Sequence, residues 1–308
     1  MDLPQPFADN VLTACPTEGE AWLKKIPELL RYSEQRWALT VHDPFPLSYN
    51  YVAPATSKKG AKVVLKLSLP EEGFEREALL ALNPAGRVKV IDEDKEKGIL
   101  LLEKVEPGMP LSELKDDEAA TLTAARLHKQ LVTAVRPDSP LPTIKGRENQ
   151  LRDILMNNSA GLGPISNQTL SRALALFTYL NQTSKTQAVL HGDFHHYNIL
   201  KQGENEWTAI DPKGLIGEIE YDLIQFLLNR WPAERQRDCI NERIKIFVQE
   251  LNLNKERLLL WGYCHTVLAA SWTVNQHGGY DEDFYSAIEI FRSLYECTYQ
   301  RTIEGAID

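Results

Sequence analysis

The run His191-Gly192-Asp193-Phe194-His195-His196-Tyr197-Asn198-Ile199-Leu200 constrains this chain more than any other. It has the spacing H-x-D-x-x-x-x-N, and Ala209-Ile210-Asp211-Pro212-Lys213-Gly214 answers it downstream with an apolar run that ends in a carboxylate. The lead-in Gln187-Ala188-Val189-Leu190 and the segment Trp207 to Ile210 read as strands, so the region is a loop, a short hairpin and an aspartate at its end. By average amino-acid usage the bare spacing arises by chance in roughly one or two chains per hundred of this length. The flanking strands therefore carry as much weight as the motif.

The residue types point to phosphoryl transfer. Magnesium takes hard oxygen ligands from one or two side chains and completes its octahedron with phosphate and water, and Asn198 and Asp211 suit that role. A further carboxylate, not neutralised by the metal, is needed to orient an acceptor hydroxyl and take its proton; Asp193 is the candidate. His191 reads as a hydrogen-bonding buttress of the loop. His195 and His196 read as loop packing, because adjacent histidines without further ligands are a weak metal signal.

A length of 308 residues suits two lobes better than one core. With 43% hydrophobic and 25% charged residues the composition is that of a soluble globular protein. No run approaches the ~18 apolar residues of a membrane span. The start, Met1-Asp2-Leu3-Pro4-Gln5, has neither a basic nor an apolar leader region, which points to the cytoplasm. Cys15, Cys239, Cys264 and Cys297 lack metal-ligand spacing and read as free, mostly buried thiols. A net charge of −9 argues against a nucleic-acid partner and is compatible with a cationic substrate or with solubility alone.

In the first third, Pro27 suits the first turn of a helix, which predicts a helix over Pro27 to Trp37. Leu39 to Val41, Tyr49 to Ala53, Lys62 to Leu69, Arg87 to Ile91 and Gly98 to Leu102 follow as strands of a small antiparallel sheet, with Asp92 to Lys97 as a charged turn. Lys66, inside the apolar run Val64-Leu65-Lys66-Leu67, either snorkels from a sheet edge or points into a cleft toward a phosphate. The next helical segment, Phe74 to Leu82, offers Glu75 and Glu77, which lie about 200° apart around a helix axis, so only one can face Lys66. Glu103-Lys104-Val105-Glu106-Pro107-Gly108 then ends the strand and begins a crossing. Beyond it helices predominate: one from Asp116 through His128, then Leu151 to Met156 and Leu170 to Asn181, with Gly161-Leu162-Gly163-Pro164 as a loop. The expected organisation is α+β, with a small lobe over residues 1–103, a hinge over 104–108 and a mainly helical lobe over 109–308.

The run from Val189 to Leu200, with Ile210-Asp211-Pro212-Lys213-Gly214 and Gly217-Glu218-Ile219-Glu220-Tyr221-Asp222, resembles the aminoglycoside phosphotransferases, in the branch of the streptomycin 6-kinases and hydroxyurea kinases. Trp22 to Pro27 with Trp37, Arg76-Glu77-Ala78-Leu79, and Leu253 to Leu258 with Trp261, Val267-Leu268 and Trp272 are similar to that branch as well. The resemblance implies a two-lobed protein-kinase-like fold, ATP and Mg²⁺, and transfer of the γ-phosphate to a hydroxyl of a small molecule, aminoglycoside-like. It makes Asp193 the catalytic base, Asn198 and Asp211 the magnesium ligands and Lys66 the nucleotide lysine. It favours Glu77 as the partner of Lys66. It sets Glu103 and Val105 at the adenine, through peptide groups of the hinge, and Ser48 at the phosphates. Asp222 would begin a helix over Leu223 to Trp231, capping it and supporting the catalytic loop.

Two departures from that pattern follow from the residues. The loop expected over the phosphates reads Pro46-Leu47-Ser48-Tyr49-Asn50-Tyr51, without glycine, so backbone approach to phosphate is bulkier there. Asp281-Glu282-Asp283 beside Gly278-Gly279 is an acidic cluster that either meets a cationic sugar or is a solvated loop. Two classes of function stand side by side: an ATP-dependent small-molecule kinase, serving antibiotic or sugar and amino-alcohol chemistry, and a kinase-fold binding protein without turnover.

Overall fold

Alternation with period two builds the N-terminal lobe. Helices α1 (Gln5–Ala14) and α2 (Gly19–Trp37) precede strands β1 (Leu39–Val41), β2 (Tyr51–Ser57) and β3 (Lys62–Leu67); helix α3 (Glu75–Ala81) and strands β4 (Val90–Asp94) and β5 (Ile99–Glu103) follow. In the computed structural model, which describes residues 3–70, 73–232, 234–275 and 277–307, the strands form one antiparallel sheet in the order β1-β2-β3-β5-β4. One face carries Tyr51, Ala53, Ala55, Val63, Leu65 and Leu67 and packs on Phe7, Val11, Trp22 and Ile26 of the two helices. The other face carries Val64, Leu100 and Leu102, and there it meets Leu200 and Ile210 of the second lobe. Lys66 lies on this second face, between β2 and β5 in the register Val52↔Lys66↔Leu100. It is therefore a cleft residue of a central strand, not an edge lysine.

Two local expectations are corrected. Helix α2 does not start at Pro27 but runs through it from Gly19, with Trp22, Ile26 and Ser33 buried on one side. A proline inside a helix costs about 3 kcal/mol through its missing N–H and ring clash, and burial of the Trp22 and Ile26 side chains in the lobe core offsets it. The predicted strand Arg87 to Ile91 shifts to Val90–Asp94, taking in residues read as a turn. It is the last strand of the sheet, and an edge tolerates the charges of Asp92, Glu93 and Asp94.

After Glu103 the chain leaves the sheet, and β6 (Pro107–Pro110) precedes α4 (Asp117–Leu131), capped by Asp116, which accepts from the backbone N–H groups of Glu118 and Ala119. Then come β7 (Thr133–Ala134), α5 (Ile144–Asn157), a small hairpin of β8 (Gly161–Leu162) and β9 (Ile165–Ser166) where a plain loop was expected, and α6 (Asn167–Gln182). Strands β10 (Ala188–Leu190), β11 (Ile199–Gln202), β12 (Glu206–Ala209) and β13 (Leu215–Gly217) frame the motif. They form two small sheets, β13-β10-β7 and β12-β11-β6. Short helices α7 (Ile219–Asp222) and α8 (Ile224–Leu227) replace the single helix expected over Leu223 to Trp231, and Asp222 ends α7 instead of capping a helix.

Helices α9 (Gln236–Leu251), α10 (Lys255–Thr273) and α11 (Glu282–Tyr299) complete the lobe. Every residue of α10 from Leu258 to Ser271 is buried, as befits a helix apolar on all sides at the centre of a bundle. Buried Arg243 on α9 ties the lobe together: it donates to Asp117 on α4 and to the carbonyls of Phe226, Asn229 and Arg230, which closes the open end of α8. No helix among the described residues is long and apolar enough to cross a membrane. All four cysteines are free; Cys15 and Cys264 are buried and Cys297 is exposed.

Candidate active site

The motif is a turn held between ladders. Strand β10 delivers His191 to Asp193, and a short 3-10 turn over His196–Asn198 leads into β11. The β11–β12 hairpin pairs Ile199 with Ala209, and Ile210 N–H donates to the Asn198 carbonyl at 2.9 Å. Asn198 and Asp211 therefore leave the open end of one hairpin side by side, which is why their separation in sequence matters.

His191 clasps the parts together. Its Nε2 lies 2.9 Å from the Ile210 carbonyl, and its own carbonyl accepts from Lys213 and Gly214 N–H at 2.9 and 3.0 Å. Burial pushes its pKa down against the pull of Asp222 and Asp193, so a neutral ring with Nε2–H toward Ile210 and Nδ1 accepting from Asp193 N–H fits all its contacts. Gly192 and Gly214 have positive φ, and a Cβ on Gly214 would meet Ala78 and Leu141 at 2.8 Å.

Asp222 supports the loop from behind. Its Oδ1 accepts from Gly192 N–H at 2.7 Å, and its Oδ2 accepts from His191 N–H at 2.9 Å and lies 2.9 Å from His128 Nε2. Burial alone would raise this carboxyl, but the hydrogen bond and charge of His128, the neighbouring His191 ring and the Gly192 N–H hold it below the usual carboxylate range. The expected support of the loop by Asp222 holds.

Asp211 adopts a left-handed backbone with φ of 56°, a region aspartate tolerates better than most residues. Its Oδ1 lies 3.0 Å from Lys66 Nζ, and Glu75 Oε1 lies 2.8 Å from the same nitrogen. Glu77, favoured by the resemblance, is instead 3.4 Å from Arg76 and 3.8 Å from Lys95. The correction has a geometric cause: α3 begins at Glu75, whose first turn faces the cleft, and residue 77 falls on the far side of the helix. Burial disfavours the Lys66 ammonium, but Asp211 and Glu75 outweigh it and raise its pKa.

Asp193 is partly exposed, with Oδ1 3.5 Å from His195 Nε2 and Oδ2 3.7 Å from Lys213 Nζ. Asn198 Nδ2 donates to the Asp193 carbonyl at 3.0 Å, which leaves the amide oxygen of Asn198 as its free ligand atom. Among the described residues no three His, Cys, Asp or Glu side chains gather to hold a metal by themselves. A magnesium ion that shares its shell with phosphate and water needs only one or two protein oxygens, so the Asn198–Asp211 pair fits it.

Of the remaining expectations, Val105 lies in the apolar seam between the lobes with Leu102, Leu200 and Ile210. Glu103 turns its carboxylate to Lys89 N–H at 2.8 Å and donates its own N–H to the Lys89 carbonyl at 3.0 Å, so both groups are engaged within the sheet. The Ser48 hydroxyl makes no hydrogen bond among the described residues, while its carbonyl accepts from Asn10 at 3.2 Å. Asn50 accepts from Leu69 N–H at 2.8 Å and closes the turn into β2. His196 is buried and stacked on Phe226, with ring centroids 3.8 Å apart. Asp281 caps α11 through Phe284 N–H and Asp283 accepts from Gln236, so two members of the acidic cluster are engaged in local structure.

Beside Asp193 opens a cavity of about 240 Å³ whose wall includes Arg147, Gln150, Gln225, His265 and Trp272. Sequence reading missed these five as site residues. They come from α5, α8 and α10, and no spacing links side chains that only packing brings together.

Comparison with known proteins bears on the family and the fold. The family model for aminoglycoside/hydroxyurea antibiotic resistance kinases matches residues 36–277. The streptomycin 6-kinase of Streptomyces glaucescens is 28% identical over 284 residues, 89% of this chain and 91% of its own length. The hydroxyurea phosphotransferase of Kitasatospora aureofaciens is 26% identical over 282 residues, 89% of this chain and 81% of its own. Among solved structures, choline kinase LicA from Streptococcus pneumoniae superposes with a TM-score of 0.58 at 14% identity, covering 87% of this chain and 99% of its own. A thermostable aminoglycoside phosphotransferase mutant in ternary complex with AMP-PNP and hygromycin B gives a TM-score of 0.61 at 13% identity, covering 88% and 99%. The fold is the two-lobed kinase-like one, and the chain belongs to the aminoglycoside/hydroxyurea antibiotic resistance kinase family and is a small-molecule phosphotransferase.

Proposed function

We propose that this chain moves the γ-phosphate of ATP to a hydroxyl of a small polar molecule, with Asp193 as the base. The observation that carries the reading is the convergence of Lys66, Asp211, Asn198 and Asp193 from two lobes onto one end of the β11–β12 hairpin. Residues 1–103 form the nucleotide lobe, 104–108 the hinge and 109–308 the acceptor lobe. The adenine lies in the apolar seam of Val64, Leu102, Val105, Leu200 and Ile210, with the hinge peptide groups at its edge. Lys66, held charged by Glu75, binds the α- and β-phosphates, and Ser48 remains free to donate a hydrogen bond to them.

Asn198 and Asp211 would hold Mg²⁺, which when bound would supply positive charge beside the phosphates. Asp193 accepts the proton of the acceptor hydroxyl as its oxygen attacks phosphorus. Asn198 orients Asp193 through its carbonyl, and Lys213 offers a cation where charge gathers on the transferred group. A cytoplasmic protein would draw on the cell's ATP directly.

The test is a thermal-shift measurement with Mg-ATP followed by a turnover assay on alcohols, streptomycin and hydroxyurea, with and without EDTA. Nucleotide stabilisation and metal-dependent phosphorylation are expected. Neither stabilisation nor transfer to any acceptor would sink the reading.

A further inference from the structure

The wall of the cavity beside Asp193 has an uneven charge. Arg147 on α5 has no acidic partner among the described residues; its guanidinium lies 5.2 Å from the Trp272 ring centroid and donates to Gln150 at 3.3 Å. Among the described residues, Asp193 and Asp222 are the carboxylates that line this cavity. Asp222 is already taken by His128 and two backbone N–H groups, and Asp193 has Lys213 nearby. His265 is only 4% exposed and pairs through Nδ1 with the Tyr221 hydroxyl at 2.8 Å, while its Nε2 is buried without a partner. Buried polar nitrogens in native proteins are nearly always paired, so an orphan in a cavity wall points to a ligand or a water. Burial, reinforced by Arg147, pushes this imidazole down to about 3, so it adds no charge.

We infer that the acceptor is a single-ring hydroxy compound carrying a carboxylate, which Arg147 binds while Trp272 covers the ring and Asp193 faces the reacting hydroxyl. Size supports one ring: a cavity of about 240 Å³ lies below the roughly 300–1,000 Å³ of pockets that enclose drug-sized ligands. Charge supports the carboxylate. An arginine fork matches a carboxylate through two parallel hydrogen bonds, whereas an ammonium or guanidinium in its place would be set against Arg147, with Asp222 already paired and Asp193 turned to the reacting hydroxyl. The orphaned Nε2 of His265 and the amides of Gln150 and Gln225 supply neutral hydrogen bonds to ring hydroxyls. The inference rests on the phosphotransferase reading and narrows its acceptor.

Three ring compounds that differ at one carbon test it: glucuronate, glucose and glucosamine, titrated calorimetrically into the complex with Mg-ADP and assayed with Mg-ATP. Binding should follow carboxylate, then neutral, then ammonium. Arg147→Gln should lower the carboxylate-to-neutral ratio by roughly 10- to 100-fold, the worth of a charge-assisted hydrogen bond pair, and Arg147→Lys should restore part of it. Equal binding, preference for the ammonium compound, or no binding by the carboxylate compound overturns the inference. So does an Arg147→Gln variant with an unchanged ratio. Failure of the parent reading shows differently, as loss of nucleotide stabilisation before any acceptor is added.

Discussion

Lys66 Nζ stands 3.0 Å from Asp211 Oδ1, a direct ion pair between the small lobe and the helical lobe. Glu75 holds the same ammonium at 2.8 Å from the other side. A lysine between two carboxylates stays charged in a buried place, and both carboxylates depend on it for neutralisation. The two lobes thus meet through the group proposed to bind the phosphates.

Glu75 and Glu77 are separable by mutation. Glu75→Gln should lower kcat/KM for ATP by roughly tenfold or more, since a charge-assisted hydrogen bond to Lys66 is lost. Glu77→Gln, on the outer side of α3, should stay within about 0.5 kcal/mol of wild-type stability with an unchanged KM for ATP. Steady-state kinetics at saturating acceptor decide it, and equal effects would contradict the pairing.

Asp193→Asn should leave nucleotide binding nearly intact and lower kcat by roughly 10²- to 10⁴-fold, the range for a lost general base. A variant with wild-type kcat would show that another group takes the proton. Single-turnover measurements separate this from slow product release.

Asp222 touches no reacting atom in this scheme, yet it sets the loop. Asp222→Asn turns one acceptor into a donor facing backbone N–H or His128, leaving a buried N–H unpaired at about 1–3 kcal/mol. A urea titration should show that loss of stability, and kcat should fall while ATP affinity changes little. An unaltered kcat in a folded variant would remove Asp222 from loop positioning.

Acid should weaken the fold through buried histidines. Burial pushes both His265 and His196 down to about 3, with Arg147 and Arg243 respectively adding to the effect. In the unfolded chain both titrate near 6.5, so below that value the unfolded state binds more protons and stability falls as pH drops toward the folded values; above it the contribution is complete. Between pH 7 and pH 5 the two together should cost about 3–4 kcal/mol. Urea unfolding at both pH values measures it. Equal stabilities would mean that both rings take up protons in the folded protein as readily as in the unfolded chain.

Much of this was legible in the linear chain because it is local. The turn from His191 to Asn198 and the hairpin that follows lie within some twenty consecutive residues, as do the alternating strands of the small sheet. Hydrophobic period and motif spacing report such neighbours directly. The choice between Glu75 and Glu77 was not local, because it turned on where α3 begins relative to the cleft. The continuation of α2 through Pro27 was decided by burial of Trp22 and Ile26, which no local rule for proline contains.

The sequence by itself determined the reaction class: the spacing of an aspartate, an asparagine and a second aspartate around one turn, with the resemblance of the segments that flank it, led to phosphoryl transfer to a small molecule. Only the tertiary structure decided how the lysine is held and what the acceptor meets. Glu75, Arg147, Gln225, His265 and Trp272 lie on four different helices, and their places follow from packing of apolar faces, which encodes contact without leaving any spacing in the chain.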